Sequence, residues 1–246
     1  MFMKGYDVRK YIAEKYTNNV SVGIYKNFDI VYEFNQDARM MSASIIKIFI
    51  LSYLVENNIT INSIDLDRSK ISEDSILKFL KKPVNSEFLM ALMISESDNS
   101  AANYFIDFIG MNKLNSYFRQ NGFKSTYVSR HFLDYNAREH GNENFTSVSD
   151  IYNLFLHLKN STFYEKFLDF LYIQKDHSGC SLYFPDSIRL AGKSGLLDDV
   201  MSDIIFYNID TGDYLYIVLT NRMPYRTARK LLTNYCYDRY KNSERF

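Results

Sequence analysis

The chain has 246 residues, enough for one large domain or two interlocked ones, and its 46% hydrophobic and 24% charged residues are ordinary for a soluble globular protein. Its 29 basic and 29 acidic residues cancel to a formal net charge of zero. This balance argues against nucleic-acid binding and against charge-driven attachment to an anionic lipid surface.

The first part of the chain is expected to form one helix and two strands. Apolar residues have helical spacing over 8–16, and β-rich alternating segments cover 20–25 and 30–34. The N-terminus has no basic-then-apolar signal segment, and the longest apolar stretch, 45–55, is too short to span a bilayer. As written, the sequence predicts a cytoplasmic protein, or an extracellular one if a leader has been removed.

The middle of the chain is expected to be mainly helical. Residues 45–55 are apolar nearly all round, which predicts a central, buried helix. Asp98 and Asn99 are candidate N-caps for a later helix. The remaining predicted helices are 86–94, 100–109, 113–120, 147–158 and 163–172, with a long polar loop over 124–144.

The last third returns to strands. The predicted elements are strands at 188–192, 201–209 and 214–221, a hairpin turn at 210–213, and a helix over 225–240. Strands at both ends of the chain with helices between them predict an α+β fold, in which one antiparallel sheet is built from both termini and carries a helical insert.

Two subdomains follow from this order of elements. Residues 1–41 and 186–246 are expected to form an α/β subdomain with the antiparallel sheet, and residues 42–185 a mainly helical subdomain. We expect the active-site groove of this α/β sandwich to lie between them.

The chain contains two Ser-x-x-Lys pairs, Ser44 with Lys47 and Ser75 with Lys78. On a helix, residues three apart share a face, so a lysine amine held against a serine hydroxyl can activate it as a nucleophile. Ser44 opens the predicted buried helix, where backbone N–H groups and the helix dipole favour developing negative charge. Ser75 lies in a charged stretch close before Ser97, and this context predicts a solvated helix face for Ser75 and Lys78.

Lys47 can act as a base only if it loses its proton near neutral pH. A free lysine has a pKa near 10.4, so neutrality at pH 7 requires a decrease of roughly 3.4 units, or about 4.6 kcal/mol. Burial in the apolar helix and a nearby cation such as Lys193 both act in that direction. The alternative is a lysine that snorkels to water at the edge of the core.

Three motifs occur in a meaningful order: Ser44-x-x-Lys47, then Ser97-Asp98-Asn99, then Lys193-Ser194-Gly195. Together they resemble the S-x-x-K, S-D-N and K-T-G set of penicillin-recognising serine enzymes, most nearly that of class A β-lactamases and their relatives. The resemblance covers nearly the whole chain. Serine replaces the usual threonine of the third motif and keeps the hydroxyl group.

The resemblance implies a role for each further motif residue. Ser97 would pass a proton to the leaving nitrogen, and Asn99 would hydrogen-bond the substrate amide. Lys193 and Ser194 would hold a substrate carboxylate. Asp98 is expected to be structural, packing or capping at its turn.

Class A β-lactamases also carry a loop glutamate that positions water for deacylation. Aligning Arg130 with the family's loop arginine puts Phe132 at the glutamate position, while Asn136 matches the asparagine of that pattern. Asn144 then falls where an aspartate usually pairs with the arginine, an exchange expected to weaken the ion pair that fastens the loop.

Three loop acids, Asp134, Glu139 and Glu143, are possible substitutes for the missing base. The alternative for each is a surface or loop-capping acid. A general base contributes about 10²–10⁴-fold in rate, so without one acylation can proceed while hydrolysis of the acyl-enzyme stalls.

The sequence therefore predicts a serine hydrolase that forms an acyl-enzyme on Ser44 with β-lactams or related amides, peptides or esters, and deacylates slowly. The resemblance implies an oxyanion hole formed by the backbone N–H groups of Ser44 and Leu196. The alternatives are an acylatable β-lactam-binding sensor, a D,D-peptidase-like protein, and a catalytically silent relative.

No cofactor or metal is expected, because the four histidines lack metal-ligand spacing. Cys180 and Cys236 are too few for a disulfide framework in a chain of this length, and both are expected to be free. The expected partner is a small-molecule substrate, with no nucleic acid and no membrane span, and the expected state is a monomer.

Overall fold

The computed structural model describes residues 16–243, so all but the last residue of the predicted helix at 8–16 lies outside the described residues. The strands are β1 (Val20–Lys26), β2 (Asp29–Phe34), β3 (Met40–Met41), β4 (Phe145–Thr146), β5 (Ala191–Leu197), β6 (Val200–Ile209) and β7 (Gly212–Thr220). Five of them form an antiparallel sheet in the order β2-β1-β7-β6-β5, and β3 pairs separately with β4.

Eight α-helices and four 3₁₀ turns connect the strands within the described residues. The helices are α1 (Lys47–Glu56), α2 (Ser86–Ser95), α3 (Asn99–Ile109), α4 (Met111–Gln120), α5 (Tyr135–Glu139), α6 (Val148–Lys159), α7 (Tyr164–Leu171) and α8 (Tyr225–Ser243). The 3₁₀ turns are Ala43–Ile46, Arg68–Lys70, Ile76–Phe79 and Cys180–Tyr183.

The predicted α+β fold is confirmed, because the sheet joins strands from both ends of the chain. Side chains on the two faces of its strands enter two different apolar layers, as the period of two in a strand requires. Ile204 and Ile217 face the helical layer, while Ile205 and Val218 face α8. The sheet is thus covered on both faces, and β5 and β2 are its two edge strands. The division into subdomains at 1–41, 42–185 and 186–246 stays a prediction.

Helix α1 is the central helix that its apolar sequence predicts. Every residue from Lys47 to Val55 is buried. Surrounding helices and the sheet exclude water from all sides of α1, so any polar group it carries must find its partners inside the protein. No helix of the described residues is long and apolar enough to cross a membrane.

The predicted strand at 188–192 is misplaced. The observed strand β5 spans Ala191–Leu197, and its residues pair with β6 from Phe206 back to Val200. Two glycines, a lysine and a serine dilute the β-rich pattern there, so pairing with β6 rather than local propensity sets the strand. The third sequence motif consequently lies inside an edge strand. The predicted loop at 124–144 is irregular except for the short helix α5.

The expectation of two free cysteines is wrong. Cys180 and Cys236 form a disulfide between the last 3₁₀ turn and α8, with Cα atoms 5.2 Å apart. Their separation of 56 residues gives no local signal, because the two elements meet only in the folded protein. The bond ties the segment before β5 to the helix that covers the sheet.

We predict that this disulfide contributes substantially to stability. Reduction, or the double substitution Cys180→Ser/Cys236→Ser, should lower the free energy of unfolding by about 2–4 kcal/mol, because a long loop is closed in the unfolded chain. Urea unfolding with and without reductant measures the difference. The double variant serves as control, since it should not respond to reductant. Equal stability of the oxidised and reduced wild-type protein would contradict the prediction.

Candidate active site

Ser44 lies in the 3₁₀ turn that leads directly into α1. Its neighbours Ala43, Ile45 and Ile46 are buried, whereas Ser44 is half-buried and lines a groove. Ala43 has a φ of +44°, a conformation that is unfavourable for alanine and is maintained here by the packing around it. The turn therefore presents the Ser44 hydroxyl to the groove at a fixed place.

Strand β5 approaches this turn closely because it carries a glycine. A Cβ atom on Gly195 would lie 3.0 Å from Cγ1 of Ile45 and 3.2 Å from Cβ of Ala43. A larger residue would push the edge of the sheet away from the nucleophile turn. The glycine of the third motif thus brings its neighbours on β5 to the side of Ser44.

Lys47 is completely buried, and its amine meets four acceptors. Nζ lies 3.1 Å from Oγ of Ser44, 3.1 Å from Oγ of Ser97 and 2.6 Å from the carbonyl oxygen of Ser97. The fourth acceptor is Oδ1 of Asn99 at 2.9 Å. Burial, and next the charge of Lys193, lower the pKa of Lys47 well below its ordinary value. A neutral amine has a lone pair that can accept the hydroxyl proton of Ser44.

Ser97 stands between two lysines. Its Oγ is 3.1 Å from Nζ of Lys47 and 3.0 Å from Nζ of Lys193. Its φ is +54°, in the left-handed region that a non-glycine residue rarely adopts. This backbone conformation aims both the carbonyl and the hydroxyl of Ser97 at the buried amines.

Asp98 holds the loop that carries Ser97. It is the N-cap of α3, as predicted, and accepts the Ala101 N–H at 2.9 Å. Its other oxygen accepts the Ser75 hydroxyl at 2.7 Å. The predicted solvated face for Ser75 is therefore wrong: Ser75 is buried and caps a 3₁₀ turn, while Lys78 remains partly exposed. The sequence around Ser75 is charged, but its own hydroxyl turns inward to the carboxylate.

Lys193 is buried on β5, where Nζ donates to the carbonyl oxygen of Ser194 at 2.8 Å. Burial lowers the pKa of Lys193 to about 8, although Asp203 and Asp176 act in the opposite direction. The side chain therefore keeps its charge at neutral pH close to the groove.

The N–H groups of the edge strand point into the groove at every second residue. Ser194 N–H donates to Oε1 of Gln174 at 3.0 Å rather than to β6. By the alternation of an edge strand, the N–H of Leu196, two residues on, faces the same way. The Leu196 side chain is 56% exposed at the rim. This backbone N–H and that of Ser44 are placed on facing elements of the groove.

The structure brings the sequence-predicted groups together around one groove of about 970 Å³. Its lining includes Ser44, Ser97, Asn99, Lys193, Ser194 and Leu196. Lys47 lies buried beneath them. In the described residues, no group of three or more His, Cys, Asp or Glu side chains is arranged to hold a metal ion.

The three loop acids do not line this groove. Asp134 caps α5 and accepts the Ala137 N–H at 2.9 Å, and Glu139 is exposed. Glu143 is buried and pairs with Arg130, its Oε1 lying 2.9 Å from Nε and 2.8 Å from the terminal nitrogen. Asp134 and Glu139 therefore have the loop-capping and surface positions of their expected alternative, whereas Glu143 is neither, because it is buried and ion-paired.

The expected weakening of the loop ion pair is wrong, because Glu143 supplies the carboxylate one residue before Asn144. Asn144 instead accepts the N–H groups of Ser129 at 2.9 Å and Arg130 at 3.1 Å. Its own amide donates to the Arg130 carbonyl at 3.1 Å. Asparagine at position 144, where an aspartate was expected to pair with Arg130, thus changes which residue pairs with this arginine. The loop is still held in place by the Glu143 pair and the Asn144 hydrogen bonds.

Phe132 occupies the loop position next to the nucleophile pair. Its ring centre is 4.3 Å from Nζ of Lys47, and its side chain is buried. Asn103 holds its backbone on both sides, accepting the Phe132 N–H at 2.8 Å and donating to the Phe132 carbonyl at 3.0 Å.

The residues that sequence reasoning missed are Asn103 and Gln174, which position the site's backbone. Asn103 lies four residues after Asn99 on α3, a helical spacing that places both on one face and could have indicated its direction. Gln174 follows α7 in an irregular segment and approaches Ser194 only in the folded protein, so no sequence signal pointed to it.

Comparison with known proteins gives a consistent result. Residues 7–239 match the model of a family described as the β-lactamase enzyme family. A β-lactamase from Sphaerobacter thermophilus superposes with a TM-score of 0.82 at 22% identity, covering 97% of both chains. No curated protein matches the sequence.

Three further solved structures have the same fold. PBP-A superposes with a TM-score of 0.79 at 20% identity, over 97% of this chain and 95% of that chain. The TLA-3 extended-spectrum β-lactamase superposes with a TM-score of 0.79 at 17% identity, over 96% of each chain. A point variant of PBP-A, with a TM-score of 0.80 at 21% identity, was solved as an acyl-enzyme complex with penicillin G.

We predict that Glu143 stabilises the folded protein, whereas Glu139 contributes little to its stability. Glu143→Gln should lower the free energy of unfolding by about 3–5 kcal/mol, because it leaves the buried Arg130 charge without its partner. Glu139→Gln is the matched control and should change stability by less than about 0.5 kcal/mol, as an exposed substitution does. Urea unfolding of both variants decides the point. A Glu143→Gln protein as stable as its control would contradict the assignment.

Proposed function

The chain belongs to the β-lactamase enzyme family, and we propose that it is a serine acyl-transfer hydrolase whose Ser44 takes the acyl group of a β-lactam or a related amide or ester. One observation carries the proposal. The buried amine of Lys47, with a lowered pKa, lies 3.1 Å from the Ser44 hydroxyl at the floor of a groove. A serine in contact with an available base is the arrangement that nucleophilic catalysis requires.

The acylation step follows from the contacts. Lys47 takes the Ser44 proton, and Oγ attacks the carbonyl carbon of the substrate. The N–H groups of Ser44 and Leu196 stabilise the oxyanion. Ser97 then gives its proton to the leaving nitrogen and recovers one from Lys47, so the C–N bond breaks as the oxyanion collapses and the carbonyl group re-forms. The 3.1 Å distance between the Ser97 hydroxyl and Nζ of Lys47 supports this relay.

Substrate recognition would use the other lining residues. Asn99 turns its Oδ1 to Lys47, which leaves its NH₂ group to donate to a substrate carbonyl. Lys193 and Ser194 offer a charged amine and a hydroxyl at the β5 side of the groove. These are suitable partners for the carboxylate of a penicillin or the C-terminus of a peptide.

Deacylation is proposed to be slow. Phe132 fills the space next to Lys47 where the family resemblance implies a glutamate, and its ring cannot activate water. The second candidate function is a penicillin-binding or D,D-peptidase-like protein, or a single-use sensor, that is acylated without efficient β-lactam turnover. Phe132 favours it.

We predict a long-lived covalent adduct on Ser44. Mixing the protein with penicillin G should add the mass of the intact drug, and the adduct should persist because Phe132, at the position expected for the loop glutamate, cannot act as a general base. Intact-mass spectrometry followed by peptide mapping measures the adduct and its site. Ser44→Ala should remain unlabelled. Rapid turnover without a detectable adduct would contradict slow deacylation, and labelling at another residue would contradict the nucleophile.

We predict that a carboxylate at position 132 accelerates hydrolysis. Phe132→Glu should shorten the adduct lifetime by about 10²-fold, since a positioned general base contributes about that much. The decay of the adduct mass after removal of free penicillin gives the lifetime. Phe132→Leu, which keeps an apolar side chain, is the control. A lifetime unchanged in Phe132→Glu would show that something other than the missing base limits hydrolysis.

We predict that capture of a carboxylate-bearing substrate weakens above about pH 8. Lys193 is protonated below its pKa of about 8 and loses its charge as the pH rises through that value. The second-order rate of Ser44 acylation by penicillin G should therefore fall on the alkaline side, because this quantity reports groups of the free enzyme. Lys193→Arg should keep its charge and remove the fall. A flat wild-type profile to pH 9.5 would refute the role of Lys193.

A further inference from the structure

A buried carboxylic acid lies beside the site without lining the groove. Asp203 on β6 is 1% exposed and shares the face of the strand that Met201 and Ile205 direct into the apolar layer under α8. Burial raises the pKa of Asp203 to about 8, although the Cys180 N–H and Lys193 act to lower it. Burying a carboxyl group in an apolar layer has a desolvation cost that a hydrophobic side chain would avoid. We therefore expect Asp203 to have a specific role at this position.

Asp203 makes its contact at the turn that precedes β5. Its Oδ2 accepts the Cys180 N–H at 2.7 Å. A Cβ atom on Gly179 would lie 2.3 Å from the same oxygen, so the approach requires a glycine there. The carboxyl group and the glycine are thus matched to each other across the layer. The disulfide to Cys236 fastens the same turn from its other side.

The segment held by Asp203 leads back to Ser194. Gln174 accepts the Ser194 N–H at 3.0 Å and donates to the Asp176 carbonyl at 3.0 Å. Burial raises the pKa of Asp176, but hydrogen bonds from Ser178 and Ser194 and the charge of Lys193 bring it below its ordinary value. Gln174 therefore bonds the Ser194 N–H directly, and Asp176 of the same segment lies close to the Ser194 side chain.

Asp203 and Ser194 are also direct register partners on β6 and β5. These contacts form a closed ring. Asp203 accepts the Cys180 N–H, residues 174–180 lead from there to the Gln174 contact with Ser194, and the pairing of β5 with β6 returns to Asp203. Ser194 is thus held on one side by Gln174 and on the other by its pairing with Asp203. The charged groups that act on Asp203 are Lys193 from β5 and Asp176 from the segment itself.

We propose that Asp203 is a positioning residue for the substrate-carboxylate pocket, which it maintains by holding residues 174–180 against Ser194. The inference rests on the proposed function, in which Lys193 and Ser194 bind a substrate carboxylate. It assigns specificity for carboxylate-bearing acyl donors to a residue that touches no substrate. Donors without a carboxylate do not depend on this ring.

The Ser194 amide provides a direct readout of the ring. Because β5 is an edge strand, Gln174 is the partner of this N–H among the described residues, and its hydrogen exchange reports the position of the segment. Asp203→Val removes the acceptor and should speed this exchange about tenfold, the effect of losing roughly one hydrogen bond. Asp203→Asn keeps an acceptor oxygen and should restore protection. Ile205→Val, on the same strand face, is the control and should change nothing.

Acylation rates with two donors distinguish a specific effect on the carboxylate pocket from a general loss of rigidity in the active site. Asp203→Val should lower the second-order rate of Ser44 acylation by penicillin G about tenfold, and leave the rate with the neutral ester p-nitrophenyl acetate unchanged. Asp203→Asn should recover the penicillin rate. Equal slowing with both donors would overturn the proposal, because it would indicate a merely structural role.

The inference can still be tested if Asp203→Val does not fold or if penicillin G does not acylate the wild-type protein. Should Asp203→Val not fold, Gly179→Ala disturbs the same contact from the other side and should produce the same two effects. If wild-type protein is not acylated by penicillin G, the proposed function fails, and exchange at Ser194 still tests the ring. Unchanged Ser194 exchange in the folded Asp203 or Gly179 variant would overturn the inference.

Discussion

The burial of the Lys47 amine beside the Ser44 hydroxyl is the constraint on which the other features of the site depend. Burial removes water from the amine and lowers its pKa, which favours the neutral form. Four oxygens lie within hydrogen-bond distance of Nζ, one more than the three positions that either an ammonium or a neutral amine can use at once. Two of these oxygens belong to serine hydroxyls, which can donate to the lone pair of a neutral amine as well as accept from its N–H groups.

This constraint explains the helix that carries the lysine and the loop that faces it. Helix α1 is apolar on all sides because every side of it is packed, and this removes water from Nζ. The strained backbone of Ser97 places a carbonyl and a hydroxyl at the amine. Asp98 and Ser75 hold that loop from behind. The fold thus supports one chemical group with several elements that do not themselves react.

Lys193 complements Lys47 because the two lysines are expected to have different protonation states at neutral pH. Lys193 comes from the edge strand and keeps a pKa of about 8, so at neutral pH its charge both lowers the pKa of Lys47 and remains available to an anion. Gly195 allows the strand to approach the nucleophile turn, and Gln174 accepts the Ser194 N–H on the strand's outer side. The two lysines share the Ser97 hydroxyl, which connects substrate recognition with proton transfer.

The sequence indicated which motif residues would lie together, because each pairing relies on local spacing or on ordered motifs, while their chemical roles stay predictions. The contact of Ser44 with Lys47 follows from three-residue spacing, and the α+β class from strands at both ends. The sequence did not predict contacts between elements that are distant along the chain. The disulfide joins residues 56 apart, Glu143 takes the place expected for its neighbour, and Ser75 turns inward because Asp98 lies behind it. In each case the deciding partner comes from a distant element, and no local pattern encodes it.

The protonation state of Lys47 in the free protein decides whether its amine can activate Ser44. Proteins labelled with ¹³C and ¹⁵N at lysine show each side-chain amine separately by NMR, and the Lys47→Arg variant identifies the Lys47 signal by its loss. We predict a neutral Lys47 amine at pH 7 in the free protein. An ammonium at pH 7 that titrates near the ordinary lysine pKa of about 10.4 would contradict the account, because Ser44 would then have no base beside it.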